Sequence, residues 1–90
     1  MIKKMCSVYD TVAKVYAPPF YVNTVGEAVR SLANAVNDKN MGDLCKHPKD
    51  FILFEIGSWD DNTGLLTAVV PPERLGLASD FVDSKLEVIK

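Results

Sequence analysis

The sequence has one histidine, one tryptophan and two cysteines, and it carries no basic surplus. Each shortage removes a class of function. His47 stands beside Pro48 with no serine or cysteine motif around it, so no nucleophile and base can be paired. No catalytic residue is assigned, and the chain is not expected to be an enzyme. Cys6 and Cys45 are too few for a disulfide framework, which predicts free thiols in a reducing cytosol. No stretch approaches the ~20 apolar residues that span a bilayer. The basic start Met-Ile-Lys-Lys leads into no long apolar core, so no signal peptide and no membrane association are expected.

Metal and phosphate motifs are missing as well. Asp43, Cys45 and His47 form one partial cluster, where a structural zinc site wants four ligands in recognisable pairs. Asp60-Asp61-Asn62-Thr63-Gly64 has its glycine in the wrong place for a calcium loop, and no glutamate closes the frame. Both stretches read as ordinary connections. There is no glycine-rich phosphate loop, so no metal and no cofactor is assigned.

The formal charge of −2 bears on partners. A protein that grips nucleic acid by its phosphates normally has a clear excess of Lys and Arg. Here the excess is local: Lys3, Lys4, Lys14, Arg30 and Lys39 outnumber Asp10, Glu27 and Asp38 in the first part of the chain. Asp60, Asp61, Asp80 and Asp83 come later. A polyanion would therefore meet the N-terminal half.

What is present is enough for one small domain, residues 1–81, followed by a tail at 82–90 that forms a further short strand or frays. The clearest element is a helix over 24–38. Val25, Ala28, Val29, Leu32 and Val36 recur at helical spacing on one face. Thr24 followed by Glu27 predicts a capping box, with the carboxylate reaching back to the amide of Thr24.

Four extended runs surround that helix. Residues 2–9 predict a strand with Ile2, Lys4, Cys6 and Val8 on one side and Lys3, Met5, Ser7 and Tyr9 on the other. A short turn at 10–13 returns the chain through 14–23, where Pro18-Pro19 demands an edge position or a bend. The connection 37–50 reads as polar loop. Residues 51–57 are the most apolar run and predict a central strand, with Ile52, Phe54 and Ile56 facing the helix and Phe51 and Leu53 facing away. A fourth strand at 65–70 ends at Pro71-Pro72, and Glu73-Arg74-Leu75-Gly76 follows as one helical turn. Leu77, Ala78 and Phe81 seal the core. The sum is an α+β fold: a ββαββ unit with one helix on one face of a small antiparallel sheet.

One helix covers one side of a sheet, so the other side needs a cover. Two readings of that side stand. It is a homodimer interface through Met5, Phe51 and Leu53, or it is a base-stacking platform. In the second reading Tyr9 and Tyr16 hold bases while Lys3, Lys4 and Lys14 follow the phosphates.

Local motifs recur in a familiar order: Ser7-Val8-Tyr9-Asp10, Pro19-Phe20, Gly26-Glu27-Ala28 with Arg30-Ser31, and Val36-Asn37-Asp38. They continue through Lys46-His47-Pro48-Lys49-Asp50-Phe51, Leu53-Phe54-Glu55-Ile56-Gly57, Asp60-Asp61 with Gly64, and Leu75-Gly76-Leu77-Ala78. The set resembles the small nonstructural protein of gokushoviruses, single-stranded DNA phages of the Microviridae. The resemblance implies a protein made in the host bacterial cytoplasm and absent from the mature shell. It also implies a role in viral genome replication or packaging, with single-stranded DNA as a partner; it carries over no catalytic residue. The contrasting expectation is an adaptor that binds phage replication or procapsid proteins, or a host factor, without touching DNA.

Overall fold

A computed structural model describes residues 1–82; of the tail expected over 82–90, residues 83–90 lie outside the described residues. Helix α1 (Val25–Val36) starts at Thr24, whose extended backbone and hydroxyl cap it: Oγ1 accepts from the Glu27 amide at 3.2 Å. The Glu27 carboxylate reaches back one residue further than the capping box predicts, accepting from the Asn23 amide at 2.8 Å. Ala28, Leu32 and Val36 are the helix residues that become buried. Beyond the last turn, the Asn37 side-chain amide donates to the carbonyls of Ala33 and Phe81 at 2.8 and 3.0 Å. The second bond fastens the helix end to a 3-10 turn, Ala78–Phe81, whose Ala78 is fully buried.

The sheet is antiparallel throughout. Strands β1 (Ile2–Asp10), β2 (Val15–Tyr16), β3 (Phe20–Val22), β4 (Phe51–Asp60) and β5 (Leu66–Leu77) lie in the order β2-β1-β4-β5, with β3 also paired to β1. This is the expected α+β arrangement, and β4 is interior, as its two-sided apolar character demands. Strands β2 and β3 are one edge strand broken at Ala17-Pro18-Pro19, where proline lacks the donor a ladder needs. Ser7 is fully buried beside the break, and its hydroxyl donates to the Ala17 carbonyl at 2.6 Å. At the hairpin tip the Asp10 carboxylate accepts from the amides of Val12 and Ala13, and Lys14 closes the turn with a φ of 60°.

Three expectations change. First, the connection after α1 is wound rather than open. It holds a 3-10 turn at Lys39–Met41, one helical turn α2 (Asp43–Lys46) and a second 3-10 turn at Pro48–Asp50. Asp38 caps the first by accepting from the Asn40 amide, and Pro48 starts the last, where its missing N–H costs nothing.

Second, the faces of β4 are opposite to those expected. Leu53 is fully buried among Cys6, Val22, Leu32 and Val36, and Phe51 packs against the same cluster. Ile52 and Phe54 occupy the side away from α1, opposite Tyr9 and Ser7 of β1. A run apolar on both sides gives no phase by itself, and a shift of one residue exchanges the faces. Pairing decides it, because Val8 sits opposite Leu53 and Cys6 opposite Glu55. Phe51 and Leu53 therefore belong to the core and leave the proposed dimer interface.

Third, β5 does not stop at Pro71-Pro72. It bulges there and resumes pairing in a shifted register, from Gly57 opposite Ala68 to Glu55 opposite Glu73 and Phe54 opposite Arg74, so the expected helical turn at 73–76 is strand.

Two substitutions check this packing by denaturant titration. Leu53→Ala is expected to cost about 3 kcal/mol, while Ile52→Ala on the other side costs about 1 kcal/mol. At Gly57 an added Cβ would stand 2.6 Å from the Thr67 carbonyl oxygen. Gly57→Ala must part β4 from β5 and is expected to lower stability by about 2 kcal/mol.

Candidate nucleic-acid interface

Side chains alternate across a strand and directly paired residues share a face, so the register fixes what the side away from α1 presents. On β1 that side takes Lys3, Met5, Ser7 and Tyr9, because Cys6 and Val8 pack on the helix side. Tyr16 and Tyr21 join it from the edge strand, opposite Tyr9 and Met5. Phe54 and Trp59 join it from β4, opposite Ser7 and Lys3. Arg74 joins it from β5, opposite Phe54.

The rings form two groups. Tyr9 and Tyr16 have centroids 4.6 Å apart, and Phe54 meets them edge-on at 6.3 and 5.7 Å. At the other end of β1, Tyr21 and Trp59 are 5.8 Å apart. Tyr16 and Tyr21 remain 43% and 51% exposed, so these rings are not sealed against one another. Every tyrosine and the tryptophan thus lie on the open side, whereas Phe20, Phe51 and Phe81 pack against the core.

Charge divides along the same line. Among strand residues, Lys3 and Arg74 fall on the open side; Asp10, Glu55, Asp60 and Glu73 pair with residues of the other side. Lys4 goes with the carboxylates. Its Nζ lies 3.3 Å from Glu55 Oε2, and the Glu55 side chain is only 12% exposed. The structure thus keeps Lys4 on the Cys6 and Val8 side that alternation predicts, away from Lys3 and the rings whose phosphate contacts it was expected to share. Lys3 Nζ donates to the Asn23 side chain at 3.0 Å, beside Trp59 across the ladder. Lys14 is exposed at the hairpin tip, two residues from Tyr16.

Of the residues expected at a stacking platform, Lys3, Tyr9 and Tyr16 come together on one face, with Met5 between the ring groups. Tyr21, Phe54, Trp59 and Arg74 were not foreseen there. Trp59 lies beyond the strand expected over 51–57 and Arg74 within the helical turn expected at 73–76, so neither has a strand face in the sequence pattern. The Lys4–Glu55 pair is the signal that fixes the phase of β4, since it needs both residues on one side.

The other side offers less. A cavity of about 680 Å³ is lined by residues of α1, α2, β1, β3 and β4 including Val8, Phe20, Leu32, Leu44 and Phe51, with Asp10 and Asp43 as its charged groups. Asp10 is already engaged by two backbone amides. Among the described residues, no group of three or more His, Cys, Asp and Glu is placed to hold a metal ion, and no helix is long and apolar enough to cross a membrane.

Behind the open face, burial pushes the Cys6 thiol up, the Glu55 carboxylate adds to the rise and Lys4 opposes it. The fold keeps the neutral thiol, so this contribution is complete below the ordinary thiol range and is lost as pH climbs through the raised value. The denaturation midpoint is expected to fall from about pH 8.5 upward. A Cys6→Ala variant should show a shallower alkaline fall.

A family model described as that of the phage ORF5 protein matches residues 3–81. No curated protein and no solved structure matches the chain.

Proposed function

The chain belongs to the phage ORF5 protein family, and from that premise we propose that it binds single-stranded DNA on the open sheet face while assisting viral genome replication or packaging. The motif resemblance to the gokushovirus nonstructural protein supports that setting, the cytoplasm of an infected bacterium. One observation carries the choice of ligand. The open face gathers the tyrosines and the tryptophan with Lys3 and Arg74, while the strand carboxylates pair on the opposite side. Rings supply flat surfaces for unpaired bases of any identity, and the cations follow the backbone. An overall charge of −2 is no obstacle when the strand carboxylates pair on the far side.

The division of labour follows from position. Tyr9, Tyr16 and Phe54 stack bases, Arg74 stands beside Phe54 for a phosphate, and Lys14 reaches from the hairpin tip. Lys4 is held by Glu55 and contributes little.

The test is a titration of fluorescent single-stranded DNA at several salt concentrations. With Lys3, Lys14 and Arg74 as the phosphate contacts, the logarithm of affinity should fall against the logarithm of salt with a slope of about −2. Replacing all three with alanine should flatten that slope, whereas Lys4→Ala should leave it nearly unchanged. Tyr16→Ala should weaken binding by about ten-fold. No binding at low salt, together with a dimer in sedimentation, would assign the face to a second copy of the chain, with Met5, Ile52 and Leu77 as its apolar contacts.

A further inference from the structure

We propose that Tyr21 and Trp59 form a second base-stacking station, so that a bound strand runs along β1 and touches both ends of the open face. This rests on the single-stranded DNA reading and adds the path and the length of the ligand.

The two ring groups are separate in space and similar in make-up. Tyr21 lies opposite Met5 and Trp59 opposite Lys3, while Tyr9 and Phe54 lie at and opposite residues 9 and 7 of β1. Four residues of strand separate the stations, about 13 Å at the usual rise. That matches about four nucleotides at the ~3.4 Å rise of a stacked strand, and fewer when the strand is extended.

Each station has its own cation: Lys3 beside Trp59, and Arg74 beside Phe54. Between them Ser7 is fully buried with its hydroxyl committed to Ala17, so the middle of the path offers no polar group to a base. Such a track favours an unpaired strand. A duplex keeps its bases stacked on one another and has no free ring faces to place on Tyr21 or Trp59.

Linking two weak stations through one ligand raises affinity sharply once the ligand spans both. An oligothymidylate of eight nucleotides should therefore bind at least ten-fold more tightly than one of two nucleotides.

Trp59 is the only tryptophan in the chain, so its emission reports on this station alone. The experiment follows Trp59 emission and the anisotropy of labelled oligothymidylate together, on the wild-type chain. The expected result is quenching of Trp59 that tracks the anisotropy change. Tyr21→Leu, at an exposed site, should weaken the longer oligonucleotide about ten-fold, and Tyr21→Phe should restore most of the loss. Binding by anisotropy with unchanged Trp59 emission, or an unaffected Tyr21→Leu variant, overturns the second station and leaves the DNA reading standing. No anisotropy change with the wild type at low salt overturns both.

Discussion

One packing event governs this molecule: α1 lies on Cys6, Val22 and Leu53 and covers that side of the sheet alone. Burying an apolar side chain such as Leu53 contributes roughly 1.5–3 kcal/mol, which a chain of 90 residues can collect only a few times. The wound connection after α1 and the turn Ala78–Phe81 extend the same core instead of starting another. The remaining side of the sheet is therefore free of the duty to hold the fold together. It can be composed for contact, with half-exposed rings in place of closely packed aliphatic groups.

Much of this was legible in the residues. The stripe of α1, its Thr24 cap and the edge position forced by Pro18-Pro19 follow from local chemistry, where spacing and donor loss act within a few residues. The phase of β4 did not, because Phe51-Ile52-Leu53-Phe54 offers apolar groups to both sides and local pattern is silent. Long-range pairing settled it, through Val8 with Leu53 and Lys4 with Glu55. The course of β5 through Pro71-Pro72 was hidden for a related reason. Proline forbids a ladder bond at its own position, but a bulge lets the strand resume beyond it.

The candidate site was half visible. Tyr9, Tyr16 and Lys3 stood out because β1 alternates cleanly, and an alternating strand declares its faces. Trp59 and Arg74 depend on β4 and β5, whose bulges break the count between neighbours. Composition misled in a different way. A formal charge of −2 averages over both sides, and the sheet keeps its strand carboxylates on the side away from the rings. Net charge is a poor guide to a two-faced molecule.

The two proline pairs lie on opposite rims of the sheet, Pro18-Pro19 between β2 and β3 and Pro71-Pro72 within β5. An uninterrupted rim is a template for cross-β growth, since its unused amides and carbonyls recruit another chain. Here each rim is cut in mid-length by residues that cannot donate. A sheet whose open side carries half-exposed rings is thereby guarded at both rims against sideways polymerisation.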